Sequence, residues 1–253
     1  MNRTVFITGA TSGIGKACAE RFAASNDNII ITGRRQERLE EISRELQNRF
    51  NVRVHTLNFD VQDRAAVVSA IEGLPTEWGN IDILINNAGL ALGRDYFEEA
   101  NLDDWDTMLN TNVHGLIYVT RAVLPFMMKM KAAHIVNIGS VAGKQIYEKG
   151  NVYCGSKAAV DAISHSMRID LLRHNIKVTA IHPGAVETEF GIVRFKGDTA
   201  TAAKAYEGLK PLSGHDVAEV IFYACNLPAH VCINDLVITP LQQADAIYFN
   251  RTS

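Results

Sequence analysis

Seven short runs of mostly β-branched residues constrain this chain: "TVFIT" (4–8), "NIIIT" (28–32), "VRVHTL" (52–57), "IDILI" (81–85), "HIVNI" (134–138), "KVTAI" (177–181) and "LVIT" (236–239). Runs this short and this continuously apolar suit strands covered on both faces. Between them lie stretches of helical periodicity at about 14–25, 35–49, 63–73, 104–131, 151–174 and 214–226. Strand and helix in alternation predict an α/β fold, a doubly wound seven-stranded parallel sheet with helices on both faces. The rhythm fails at 185–213, "AVETEFGIVRFKGDTATAAKAYEGLKPLS", a segment of the length that forms a lid or a small helical excursion. No linker or repeat divides the chain, so 1–253 reads as one domain.

A chain that is 47% hydrophobic and 21% charged has enough apolar surface to bury a core. Its net charge of −3 argues against nucleic acid or an anionic membrane as partner. "MNRTVFITGA" enters a strand without signal-peptide features, and no apolar run approaches the ~18 residues of a membrane span. Cys18, Cys154, Cys225 and Cys232 form no C-x-x-C pair and read as free thiols of a reducing cytoplasm. Cys154 adjoins Tyr153 and is expected to be an inert filler. The eight histidines are scattered, so no metal is expected. Trp78 and Trp105 read as packing residues, and His182 as a strand-end residue.

The first strand runs into "TGATSGIGKA" (8–17), with Gly9, Gly13 and Gly15 spaced G-x3-G-x-G. Glycines let the backbone turn sharply and approach a pyrophosphate, while the following helix offers unpaired N–H groups. The cradle comprises Gly9, Thr11, Ser12, Gly13, Ile14 and Gly15. The second strand ends in "ITGRRQERL", where dinucleotide folds that hold a free ribose 2′-hydroxyl place a carboxylate. Here stand Arg34 and Arg35, with Arg38 further on, so a 2′-phosphate is expected and with it NADP.

In "NVYCGSKAAV" (151–160), Tyr153 and Lys157 share one helical face a turn apart. A free phenol, with a pKa of about 10, is a poor base at neutral pH. A neighbouring ammonium lowers that value, so Lys157 is expected to make Tyr153 a usable general base.

Taken in order, "NFDV" (58–61), "NNAG" (86–89), Asn112 in a long helix, "GS" (139–140), Y-x-x-x-K, "HPG" (182–184) and Thr188 resemble the short-chain dehydrogenase/reductases across nearly the whole chain. "TGRRQERL", "NIDILINNAGLALG", "TRAVLP", "VRFKGD" and "LPAHVCIN" are similar to the bacterial NADP-dependent 3-hydroxy acid dehydrogenases, which oxidise serine, allo-threonine and related acids. One departure is "LVITPLQQADAIYFN", where many relatives carry a glycine-rich segment, and it leaves the pocket floor open.

The resemblance implies a Rossmann-type fold, a cytoplasmic location and a homotetramer. It also implies that Ser140 holds the substrate oxygen for Tyr153, and that Asn112 positions a water linking Lys157 to solvent. Asn87, Ala88 and Gly89 would pass the cofactor ribose, Asp60 and Val61 the adenine, and Pro183, Gly184, Val186 and Thr188 the nicotinamide amide. Lys157 would also hold the ribose hydroxyls. A small hydroxy acid needs a cation or a nest of N–H donors for its carboxylate, and Arg194, then Lys196, are the candidates in the excursion. The rival readings are a carbonyl reductase for a neutral ketone or sugar and, more distantly, a non-catalytic NADP sensor, against which Tyr153 and Lys157 speak.

Overall fold

The computed structural model describes residues 2–252. The strands are β1 (Thr4–Ile7), β2 (Asn28–Gly33), β3 (Val54–Asn58), β4 (Ile83–Asn86), β5 (Ala133–Ile138), β6 (Ile176–Pro183) and β7 (Asp235–Ile238). All six pairings are parallel, in the order β3-β2-β1-β4-β5-β6-β7. Each predicted run lies on a strand, and the seven-stranded doubly wound sheet is the one expected.

Continuous apolar runs work here because both faces are covered. Val5, Ile7, Ile29 and Ile31 pack on one face against α1 (Gly13–Ala23), α2 (Gln36–Phe50) and α9 (Gly214–Cys225). The alternate residues Phe6, Ile30 and Leu84 pack on the other against α3 (Arg64–Glu72) and α5 (Leu116–Met127). Local signals start several helices. Asp63 accepts from the N–H groups of Ala65 and Ala66 to cap α3, and Ser213 with Asp216 forms a capping box on α9.

The predicted helix 104–131 is interrupted. It comprises α4 (Leu102–Leu109), a π-helical segment (Asn110–Gly115) and α5. The break coincides with Asn112, whose side chain is drawn into bonds with a neighbouring loop. The stretch 185–213 contains two short helices, α7 (Glu189–Arg194) and α8 (Thr199–Lys204). The remaining helix, α6 (Asn151–Asp170), is located by a buried amide relay. Asn86 Nδ2 donates to Thr120 Oγ1 at 2.8 Å and to Asn137 Oδ1 at 2.9 Å, and Asn137 Nδ2 donates to Ser164 Oγ of α6 at 2.9 Å.

The four cysteines are free, and burial pushes the thiols of Cys18, Cys154 and Cys225 up, that of Cys225 to about 12. No helix among the described residues is long and apolar enough to cross a membrane.

His134 in β5 is buried, with Nε2 2.7 Å from Thr179 Oγ1. Burial, then the charges of Lys177 and Arg3, press its pKa down to about 3. The unfolded chain therefore takes up this proton first, so stability is full above about pH 6.5 and is lost as the pH falls from there toward 3. A loss on the order of 4 kcal/mol is expected from this group. In urea unfolding, His134→Gln should flatten the decline below pH 6.5 relative to the unaltered protein, whereas parallel pH profiles would contradict the assignment.

Candidate active site

The strand order reverses between β1 and β4, and a cleft of about 1020 Å³ opens over the C-terminal ends of the strands. Side chains stitch this point together. Thr8 Oγ1 accepts from the N–H groups of Asn87 and Ala88 at 3.0 and 2.9 Å. Asn87 Nδ2 donates to the carbonyls of Thr8 and Gly9 at 2.9 and 3.1 Å.

The cradle needs its glycines. Gly9 and Gly13 have φ of +64° and +54°, and a Cβ on Gly15 would lie 2.4 Å from the Gly9 carbonyl oxygen. Ser12 stands at the N-cap of α1 without a side-chain capping bond, so the first N–H groups of the helix face the cleft unclaimed by a cap. This donor set fits the phosphates of a dinucleotide, with Gly9, Thr11, Ser12, Gly13 and Ile14 all lining the cleft.

Arg34 and Arg35 line the cleft at the end of β2 and suit a further phosphate. No carboxylate stands at the end of β2 itself, but residues distant in sequence bring two to the arginines. Arg34 NH1 lies 3.6 Å from Asp60 Oδ2, and Arg35 NH1 donates to Glu189 Oε2 at 3.0 Å. Arg35 also donates to Thr11 Oγ1 from NH2 at 2.8 Å and from Nε at 3.2 Å. A 2′-phosphate must compete with these half-exposed carboxylates for the guanidinium groups.

The other expected residues converge on the same cleft: Asp60, Val61, Asn87, Ala88, Gly89, Ser140, Tyr153, Lys157, Pro183, Gly184, Val186 and Thr188. Gly15 and Asn112 stand behind its wall. Asn112 Nδ2 donates to the Leu90 carbonyl and to Ser156 Oγ at 2.8 and 3.0 Å, while its Oδ1 accepts from Leu90 N–H at 2.8 Å. Its amide thus fastens the loop after β4 to α6. A Cβ on Gly89 would lie 3.2 Å from Asn112 Oδ1 and 3.3 Å from Lys157 Nζ, so the cofactor-side loop, the π segment and the lysine meet at one point.

Ser140 Oγ accepts from Ala142 N–H at 3.1 Å and donates to the Pro183 carbonyl at 3.5 Å. Tyr153 and Lys157 are both buried. Burial chiefly, with Tyr147 adding to it, pushes the Tyr153 phenol above its ordinary value, and the Ser140 hydroxyl and the Arg194 guanidinium oppose the rise. The expectation that Lys157 brings the phenol down is therefore revised for the protein on its own. Lys157 is itself pressed down to about 8 by burial, and its ammonium donates to the Ile138 carbonyl at 2.9 Å.

Arg194 and Lys196 part company. Arg194 lines the cleft at the end of α7, its guanidinium carbon 5.4 Å from the centre of the Tyr153 ring. NH1 donates to Tyr147 Oη at 3.1 Å, and the buried Nε has no partner among the described residues. Lys196 instead pairs with Asp104 at 2.8 Å and does not line the cleft.

Sequence reasoning missed Tyr147 and Phe190 and left the C-terminal segment open. Phe190 packs 5.8 Å from Tyr153, and Gln243, Ala246, Ile247, Phe249 and Arg251 line the cleft. The pocket floor left open by "LVITPLQQADAIYFN" is formed by this segment. Gln243 Oε1 accepts from Ala185 N–H at 2.7 Å, and Gln242 Nε2 donates to the Gly208 carbonyl at 3.0 Å. The paired glutamines in that segment were the one available signal.

Residues 3–198 match the family model for short chain dehydrogenases. The chain is 46% identical over 243 residues to the NADP-dependent 3-hydroxy acid dehydrogenase YdfG of Shigella flexneri, with 96% of each chain covered. It is 48% identical over 245 residues to sulfoacetaldehyde reductase 2 of Chromohalobacter salexigens, again covering 96% of each. Among solved structures, the closed form of serine dehydrogenase complexed with NADP+ superposes with a TM-score of 0.91 at 45% identity, covering 99% of this chain and 100% of that one.

Lys157 carries a testable cost. In the unfolded chain its pKa returns to about 10.4, so the folded state disfavours the ammonium by on the order of 3 kcal/mol at neutral pH. Lys157→Met should be more stable than the unaltered protein at pH 7. The gap should close as the pH rises from about 8 to about 10.5, where both states of the unaltered chain become neutral at this site. A constant gap in unfolding free energy over that window would refute the buried charge.

Proposed function

The chain belongs to the short-chain dehydrogenase family, and from that premise we propose that it moves hydride between NADP and the hydroxyl-bearing carbon of a short 3-hydroxy acid of the serine, allo-threonine or 3-hydroxyisobutyrate type. The observation that carries the substrate class is Arg194, a guanidinium with an unpartnered buried Nε beside the Tyr153 ring. A small acid bound with its hydroxyl at Tyr153 brings its carboxylate within reach of that planar fork. The dehydrogenase and reductase names of the two curated relatives agree with this, since a hydroxy acid and a sulfonated aldehyde both carry an anionic group near the reacting carbon.

Bound NADP supplies the hydride acceptor or donor and, when oxidised, a positive ring. The protein handles the proton. In the reductive direction Tyr153, protonated because burial raises its pKa, gives its phenolic proton to the nascent alkoxide. In the oxidative direction the positive ring of bound NADP and the Lys157 ammonium would favour the phenolate, whose oxygen would take the hydroxyl proton as hydride leaves the carbon. Ser140 holds the reacting oxygen in line, and Lys157 faces Gly89, where the cofactor ribose passes. Free thiols fit a reducing, cytoplasmic setting. The exposed Ile169, Leu172, Tyr223 and Val237 fit a homo-oligomer, a tetramer by family resemblance.

The test is initial rates of NADPH formation with serine, allo-threonine and 3-hydroxyisobutyrate against neutral alcohols of similar size. NADPH oxidation with sulfoacetaldehyde should be followed alongside. Acids should lead, and Arg194→Ala should raise their KM about tenfold to a hundredfold while leaving neutral alcohols nearly unchanged. If neutral substrates outrun every anion in the unaltered protein, the carbonyl-reductase reading replaces this one. The cofactor claim is separate. Replacing Arg34 and Arg35 together should raise KM for NADP far more than for NAD, starting from a preference of about a hundredfold. Equal use of both cofactors by the unaltered enzyme would contradict it.

A further inference from the structure

The eight histidines are scattered in the sequence, yet the fold gathers two of them with two aspartates behind Ser140. Asp161 and His165 lie a turn apart on one face of α6. Asp235 opens β7 opposite Ala180, two residues before His182 on β6, so His182 and Asp235 rise from the same face of the sheet. His182 Nε2 is 3.5 Å from Asp161 Oδ1 and 3.5 Å from Asp235 Oδ1. His165 Nε2 is 3.7 Å from Asp161 Oδ1 and 3.7 Å from Asp235 Oδ2. Donors placed tetrahedrally at roughly 2.0–2.2 Å from a zinc ion stand about 3.3–3.6 Å apart. Four of the six edges of such a tetrahedron are thus close to length, and Asp161, His165 and Asp235 offer donors within 4.8 Å of one another. Asp235 meets the two histidines with different oxygens, so closing the shell takes rotation of side chains, His165 and Asp235 being the exposed ones.

A second observation comes from His182. The ring is fully buried, and Nε2, directed between the two carboxylates, makes no hydrogen bond among the described residues. Its Nδ1 lies 3.3 Å from the Ser140 carbonyl oxygen. That is the arrangement in which a metal-ligating imidazole donates its remote N–H to a backbone carbonyl and keeps the other nitrogen's lone pair for the ion. The cluster also attracts positive charge as it stands. Lys144 Nζ sits between the carboxylates, 2.9 Å from Asp161 Oδ1 and 2.6 Å from Asp235 Oδ2. A partly exposed lysine on a flexible stem can swing into water and yield its place.

We propose that Asp161, His165, His182 and Asp235 form a binding site for a zinc ion, with the Lys144 ammonium as its competitor. Two imidazoles with two carboxylates favour zinc and its transition-metal neighbours over magnesium or calcium, which prefer all-oxygen shells. None of the four residues lines the nucleotide cleft, so the site is separate from the hydride chemistry. An ion here joins α6, β6 and the edge strand β7, and through His182 it fixes the carbonyl of Ser140.

The full-length protein, stripped of metal with a chelator, is titrated with zinc chloride and then with magnesium chloride, following heat and thermal unfolding. One zinc per chain should bind and raise Tm, and magnesium should do neither. His165→Ala and Asp235→Asn, at exposed positions that tolerate replacement, should each weaken zinc at least tenfold. Lys144→Met should strengthen it at least tenfold. Failure of the unaltered protein to bind zinc overturns the proposal. So does binding that His165→Ala and Asp235→Asn leave unchanged, which would place the ion elsewhere, and so does Lys144→Met without tighter binding.

Discussion

The exchange of hydrogen bonds between Thr8 and Asn87 is the interaction on which the rest of the site depends. Strand order reverses between β1 and β4, and the backbones diverge there to leave the cleft. A gap between two loops is stable only if their polar groups are satisfied at the point of parting. The Thr8 hydroxyl and the Asn87 amide do this for four backbone groups, on Thr8, Gly9, Asn87 and Ala88. The phosphate cradle and the loop that passes the ribose are thereby held at one separation, and everything that lines the cleft is measured from that gap.

Onto this frame α6 brings two groups whose charged forms are both disfavoured by burial. Tyr153 is moved up and Lys157 down, and desolvation leads in each case. The fold tolerates this because α6 is fastened elsewhere, through Ser164 to the Asn137 relay and through Ser156 to Asn112. The π segment around Asn112 belongs to the same arrangement, since it places an amide where it ties both the Leu90 loop and α6. Packing and amide bonds far from the reacting atoms offset the electrostatic cost of the buried ammonium.

The sheet was legible because its signal is local: the central strands are apolar runs buried on both sides, the edge strands β3 and β7 are partly covered, and each is found where periodicity places it. The cradle, Ser140, Tyr153 and Lys157 were legible because each stands at the end of an element or within a single helical turn. What escaped depends on distance along the chain. Glu189 reaches Arg35 and Asp60 reaches Arg34, and no reading of "ITGRRQERL" contains either. The ordering of Arg194 over Lys196 followed from guanidinium geometry. The pairing of Lys196 with Asp104 is a tertiary fact. The raised pKa of Tyr153 in the protein alone escaped for a similar reason, since helical spacing reports neighbours and not the loss of solvent.

The C-terminal segment bears on how the protein assembles. Arg251 donates to the carbonyls of Ala205 and Glu207, Thr252 N–H donates to Gly208, and the cleft these bonds help to enclose begins at Gly9. The pocket therefore joins segments near opposite ends of the sequence, a closure whose chain entropy is recovered only after the sheet between them has formed. On a ribosome the nucleotide cradle emerges before the wall that completes the cavity. The cavity is thus complete only after the later segment has docked on the earlier one. The same tail is held to residues 205–208 mainly by hydrogen bonds near the surface, where water competes for them.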